Sequence, residues 1–218
     1  MTEPREVCSH GEKRVATRFD VLPLFVERWS PRSFLDSPPS SDQLRSMFEA
    51  ARLAPSAHNT QPPRFIVTER GRGSGYERLF ACLSDGNRLW AHTAPVLILA
   101  TALRERYSPA TAEMVPYPHS MHDLGLAVMS LLLQGQALGL ACHPMAGFDP
   151  DQAREAFAVP LLFEPGVVIA VGYLGPPDAL PAELRAREVG PRTRRSLEEL
   201  VFEETWGRAA TLLHEPTP

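Results

Sequence analysis

Lysine is almost missing from this sequence. Of its 22 basic residues, only Lys13 is a lysine and the rest are arginines. Schiff-base chemistry, pyridoxal phosphate attachment and a Walker-type phosphate loop each need a positioned lysine. Lys13 falls in a polar leader, so those classes are set aside. Arginine keeps its charge at any working pH and presents a planar donor fork suited to phosphate and carboxylate, so the chemistry should rest on fixed positive charge. Cysteine is scarce too: Cys8, Cys82 and Cys142 form no CxxC pair. Neither a disulfide framework nor a zinc site is indicated, and a reducing cytoplasm fits. Basic excess is absent, with a net charge of −4 and a pI near 6.0, so no nucleic-acid partner is expected. The opening MTEPREVCSHGEKR has no apolar core, so no secretory signal is read.

One long stretch, Leu124 to Cys142, lacks charge and has the length to span a bilayer. Gln134 and Gln136 would be awkward in lipid, no basic flank fixes an orientation, and Ser120 with Asp123 resembles a soluble-helix start. The reading is therefore a buried core or interface helix, with no membrane partner. Gly125, Ala127, Ser130 and Gly135 leave room for another helix, and a second subunit must cover whatever one protomer cannot.

The length of 218 residues suits one large domain, and no linker or internal repeat divides it. The expected organisation is a flexible leader over 1–17, a single domain over 18–212 and a tail over 213–218. A helix should run from Ser41, as N-cap, to Ala54 before Pro55, with Leu44, Met47, Phe48 and Ala51 on one face. Arg64–Thr68, Pro95–Ala100 and Gly166–Tyr173 read as strands, the last two buried on both faces. Helical patterns occupy Tyr76–Leu83, Asp123–Leu138 and Pro150–Phe157. Few strands separated by long helices predict an α/β or α+β sandwich, not a barrel.

Several motifs lead nowhere. Gly71-Arg-Gly-Ser-Gly75 follows a strand, but Tyr76 stands where a dinucleotide fingerprint needs its third glycine. His119 and His122 lack a third ligand in register, so no metal site is assigned. Ser74 is not in a GxSxG elbow, and Cys142 beside His143 is read as structural, because sequence neighbours seldom face each other.

Three segments remain. The heptapeptide RWSPRSF sets cations at Arg28 and Arg32 around a hydroxyl at Ser30. The stretch APSAHNTQPPRF joins a helix to a strand through small and amide side chains suited to clasping a polar ligand. HPMAGFD ends in an Asp149–Pro150 cap pair, and Gly147 permits unusual backbone geometry.

RWSPRSF, APSAHNTQP, ALGLACHPMAGFDP and VVIAVGYLG occur in the order and approximate spacing of the FMN-dependent nitroreductase family, which this sequence resembles from about residue 24 to residue 206. The resemblance implies an α+β fold with a mixed sheet flanked by helices, in an intertwined homodimer with two FMN sites at the interface. It implies ping-pong transfer of reducing equivalents from NADH or NADPH to nitroaromatic, quinone or related small-molecule acceptors. Related readings are a biosynthetic flavin dehydrogenase or reductase and a flavin-binding protein without turnover. By position, Arg28 and Ser30 match residues holding the FMN phosphate and ribityl end, and Arg32 matches a basic position at the pyrimidine edge of the ring. Pro55, Ser56, Ala57 and Asn59 match a loop reaching the partner's flavin. Pro144, Met145, Ala146 and Gly147 match a turn over the ring near N5 and O4, and Asn87 matches, less closely, a polar residue near it. Arg192 and Arg194 match a basic pair at the phosphate, with Arg195 able to replace Arg194 by a one-residue shift. Pro63 stands where the family often has tryptophan, which leaves the contact at Gln61 open, and Ala146 replaces a carboxylate found in some members. The flavin itself performs the chemistry, so no catalytic side chain is required. The acceptor is sought along residues 104–119.

Overall fold

Strand β1 (Pro63–Glu69), strand β2 (Val96–Leu103), strand β6 (Phe163–Gly172) and strand β5 (Ala141–Met145) form one sheet in the order β1-β2-β6-β5 in the computed structural model, which describes residues 13–214. All three neighbouring pairs are antiparallel, which corrects the mixed sheet implied by the resemblance. The continuous apolar runs explain the centre: Val96–Ala100 and Val168–Val171 are wholly buried, with protein on both faces. Period-two alternation divides them. Leu97, Leu99, Val168 and Ala170 face one apolar cluster with Tyr76, Leu79 and Trp90, while Val96, Ile98, Ala100, Ile169 and Val171 face another with Met47, Ala51 and Leu131.

The first cluster is roofed by helices α3 (Gly75–Ala81), α4 (Asp85–Ala91) and α6 (Pro150–Ala156), and the second by α2 (Ser41–Arg52) and the long α5 (Ser120–Ala137). A short α1 (Pro23–Glu27), a hairpin of β3 (Glu105–Ser108) with β4 (Glu113–Pro116), and α7 (Ala182–Val189) complete the α+β architecture. The cap of α2 is Ser40, not Ser41: its Oγ accepts from Gln43 N at 3.2 Å while the Gln43 side chain returns to Ser40 N at 2.9 Å. Gly71 and Gly73 have positive φ in a plain turn between β1 and α3.

On α5, Leu124, Ala127, Val128, Leu131 and Leu132 are buried inside the protomer, so Ala127 and Val128 belong to its own core. Beside that face Met121, Gly125, Met129 and Leu133 follow at four-residue spacing; Met129 packs partly against the same core, Met121 is 46 % exposed, and a Cβ added at Gly125 would meet nothing within 4 Å. Among the described residues no helix is long and apolar enough to cross a membrane. Residues 1–12 and 215–218, most of the expected leader and tail, lie outside the described residues. Lys13 differs from the expected mobile leader: it is buried against the domain.

Candidate functional site

Arg28, Ser30 and Arg32 lie on the segment that leaves α1, whose helical run stops at Glu27 where Arg28 turns extended. Together with Lys13, Trp29, Pro191, Arg192 and Arg194 they line one cleft of about 290 Å³. The sequence therefore brought its two separated basic motifs to one place, and Lys13 joins them. Arg28 Nη1 lies 3.5 Å from Ser30 Oγ, and its guanidinium is held below the ordinary arginine range by burial and then by the nearby charge of Arg194. Arg192 is lowered in the same way, by burial first and by Arg194 and Arg28 after it. Cations this close repel one another, and a bound anion would offset that repulsion.

The arginines are not equivalent. The Nη atoms of Arg192 donate to the carbonyls of Phe25, Val26 and Arg28, tying residue 192 to the end of α1. Its Nε is buried with no partner, one orphan donor at the cleft. Arg194 is exposed along the lining, whereas Arg195 turns to Glu199 at 3.1 Å and lines a neighbouring groove. Beneath Arg32 lies Glu188, fully buried, whose Oε1 accepts from Arg32 N at 2.9 Å and Ser33 N at 3.3 Å; its Oε2 lies 3.9 Å from Arg32 Nη1. Sequence reasoning missed both Lys13 and Glu188 as parts of this cleft. Five cations, one orphan donor and a single carboxylate at the floor fit a terminal phosphate.

Beside the cleft, Ala141–Met145 is an edge strand where a turn was expected. Proline is tolerated at such an edge, and Pro144 occupies it. Alternation puts Cys142 into the α5 side and His143 onto the Trp90 ring, 4.4 Å between centroids. They are no thiolate pair: burial pushes the Cys142 thiol up to about 12. Met145 is buried in the core, so its side chain is closed to a ligand. Gly147 is required by close approach and not by its dihedral angles, since an added Cβ would sit 2.7 Å from Ser84 Oγ and 2.8 Å from Asn87 Nδ2. Asn87 donates to the Gly147 carbonyl at 2.9 Å and holds the residues after β5, with Ala146 exposed between.

His143 Nδ1 lies 2.8 Å from Pro31 O, yet its pKa is pushed down to about 4 by burial, and further by Arg32 and Arg28. The unfolded chain takes a proton at this ring near pH 6.5 that the folded chain refuses until about 4. Stability is therefore complete above pH 6.5 and is lost as the pH falls toward about 4, by about 3 kcal/mol for this group. Urea midpoints of flavin-free wild type and His143→Gln at pH 7.0, 5.5 and 4.5 should diverge, the variant losing less in acid. Parallel curves would remove His143 from the acid response.

Pro55, Ser56, Ala57 and Asn59 lie elsewhere. Pro55 and Ser56 border a second hollow of about 220 Å³ with Phe48, Gln61, Pro63, Arg64 and Asp123, which shares no lining residue with the basic cleft. His58, Asn59 and Gln61 have φ of 54°, 53° and 50°, left-handed values on either side of a right-handed Thr60 that cost energy in non-glycine residues. Buried Asp123 anchors the strained loop: it accepts from Ala57 N at 3.0 Å and from His122 Nδ1 at 3.0 Å, and it meets the Tyr117 hydroxyl. Burial alone would raise its pKa, but the hydrogen bonds from Tyr117, His122 and Ala57 outweigh that and hold it below the usual carboxylate range. His122 is thus engaged with Asp123, and no cluster of potential metal ligands occurs among the described residues. Residues 105–116, within the stretch suspected of facing an acceptor, form the β3–β4 hairpin, with Tyr107 and Met114 exposed.

The profile of the Nitroreductase family matches residues 26–173. A *Streptomyces coelicolor* protein provisionally named NADH dehydrogenase/NAD(P)H nitroreductase is 33 % identical over 171 residues, covering 71 % of this chain and 83 % of its own. A *Mycolicibacterium smegmatis* protein of 15.4 kDa without an assigned role is 35 % identical over 151 residues, covering 66 % of this chain and 97 % of its own. A crystal structure described as an oxidoreductase containing FMN superposes with a TM-score of 0.83 at 33 % identity, covering 88 % of this chain and 96 % of that one.

Proposed function

The chain belongs to the nitroreductase family, and from that premise we propose that it is a homodimeric, FMN-dependent oxidoreductase. It passes reducing equivalents from NADH or NADPH to nitroaromatic, quinone or related acceptors, the two substrates using one site in turn. The observation that carries this reading is the cleft in which Arg28, Arg32, Arg192, Arg194 and Lys13 converge with Glu188 as the carboxylate recorded near them among the described residues.

Bound FMN supplies the hydride and electron transfer, and the protein binds, orients and tunes it. Arg28, Arg194 and the unpartnered Nε of Arg192 would hold its phosphate, with Ser30 Oγ beside Arg28 as a further hydrogen-bonding group. Arg32, steadied by Glu188, holds positive charge toward the pyrimidine edge, where reduction accumulates negative charge. The outer edge of β5 and the backbone at Ala146–Gly147, braced by Asn87, present hydrogen-bonding groups to the ring. The loop of Pro55, Ser56, Ala57 and Asn59 is tied to Asp123, and the hollow it borders shares no lining residue with its own basic cleft, which suits it to complete the site of a second subunit. Exposed Tyr107 and Met114 offer apolar surface to the acceptor.

Purified protein should be yellow and release about one FMN per protomer on heating, and NAD(P)H should be oxidised when a quinone or nitroaromatic is added. A dominant FAD peak, or no flavin after reconstitution, would overturn the cofactor. Bound FMN that neither nicotinamide reduces would overturn the catalytic reading.

A further inference from the structure

We propose that Lys13 makes this cleft selective for a phosphorylated over an unphosphorylated flavin, and that the segment carrying it is a strap whose docking and the phosphate's binding reinforce each other. The proposal rests on the FMN reading above. Lys13 is only 8 % exposed, and its Nζ donates to Arg187 O at 2.8 Å and Gly190 O at 2.6 Å. Both carbonyls lie at the C-terminal end of α7, where helix carbonyls lack internal partners and favour a cation. The ammonium also lies 4.8 Å from the centroid of the Trp29 ring, within the lining shared with Arg28, Arg32, Arg192 and Arg194. Farther along, Arg18 pairs with Glu198 at 2.9 Å, so residues 13–18 are tied at two points to the C-terminal part of the chain.

This arrangement exceeds what a structural lysine needs. Burial penalises the ammonium, and although Glu188 attracts it, the neighbouring Arg32 and Arg192 repel it. A glutamine could reach the α7 carbonyls without that repulsion. A third N–H and a compact charge at a cleft already rich in cations gain only when a phosphate arrives. Riboflavin brings the same ring and ribityl chain without that charge. The contribution of Lys13 therefore belongs to the FMN-to-riboflavin affinity ratio, and by linkage a bound phosphate must hold the strap more firmly.

Two measurements decide it. Fluorescence quenching gives Kd for FMN and riboflavin with wild type, Lys13→Gln, Lys13→Met and Lys13→Arg. FMN should bind about tenfold more weakly to the glutamine and methionine variants, riboflavin should be unchanged, and arginine should restore the discrimination. Because Lys13 is the only lysine, acylation by an amine-reactive ester can be followed at that residue by mass spectrometry in the unmodified protein. FMN should slow it at least about fivefold and riboflavin should not, a result independent of whether any variant folds. Equal losses for both flavins, rescue by glutamine, or equal protection by both flavins would overturn the proposal and leave Lys13 a structural tie. Wild type that binds FMN while no variant changes the ratio overturns this inference alone; wild type that binds neither flavin overturns the FMN reading with it.

Discussion

Gly125→Arg should yield protein that sediments as a monomer and carries no flavin. In an isolated protomer the change is benign: position 125 is exposed, its added Cβ meets nothing within 4 Å, and a helix gains about 0.8 kcal/mol when arginine replaces glycine. If Met121, Gly125, Met129 and Leu133 form the seam with a second subunit, the same side chain forces a long cation into an apolar, closely packed interface. The two views predict opposite signs. A lone protomer would melt slightly higher and stay yellow, while the dimer would fall apart and lose the loop of Pro55–Asn59 from its partner's site. A yellow, dimeric Gly125→Arg protein in sedimentation and absorbance would move the interface off α5. Substitutions at Ala127 or Val128 cannot make this distinction, because both residues pack in the protomer's own core.

Arg28→Met should weaken FMN binding at least tenfold while leaving the reduction potential of the remaining bound flavin near that of wild type. Charge-assisted hydrogen bonds to a phosphate contribute about 1.5–3 kcal/mol each, and methionine keeps much of the packing of the half-buried stem. Removing one cation also relieves the repulsion from Arg194 and Arg192, so the flavin-free variant should be no less stable than wild type. Arg32→Ala should behave differently. If Arg32 faces the pyrimidine edge, its charge matters more after reduction than before, so oxidised FMN should bind moderately well while the potential falls by about 30 mV, equivalent to about 1.4 kcal/mol. Its proximity to Glu188 adds a further consequence: without Arg32 the buried carboxylate loses its nearest guanidinium, and the variant should be the less stable of the two. Titration of FMN into both flavin-free variants, with potentials and melting curves, separates the roles. Identical behaviour of the pair would refute the division of labour.

The parts of this fold that were legible in sequence are those where one physical demand dominates. Val96–Ala100 of β2 and Val168–Val171 of β6 are buried on both faces and must be apolar, so they read directly, whereas the half-buried start of β6 with Glu164 did not. The α2 helix was legible but its cap was displaced by one residue, because two serines adjoin and only the reach of Gln43 selects Ser40. β5 was hidden by His143 and Pro144, which an edge strand admits and a central strand would not. The β3–β4 hairpin has no alternating apolar pattern because little of it is buried. At the candidate site, the local motif around Arg28 and Arg32 could be read as a motif. Glu188 could not, since it meets Arg32 from 156 positions away, and a buried glutamate on a short charged helix looks like any other surface residue in one dimension. The scarcity of lysine was visible from the start; what Lys13 touches was not.

The two ends of the cleft set a timetable. Lys13 meets Gly190 across 177 positions, and Arg192 is tied to the carbonyls that end α1 across 164. A chain emerging from the ribosome makes α1 and the first arginines early, yet the cleft has no second wall until the stretch after α7 has been synthesised. The sheet imposes the same delay, because β2 lies between β1 and β6 and its β6 side stays open until residues 163–172 arrive. A growing polypeptide of this sequence lacks the full set of cleft cations until residue 194 has been added. Assembly of the cleft is consequently a late event in the life of each molecule, and chains halted before residue 192 lack two of its arginines.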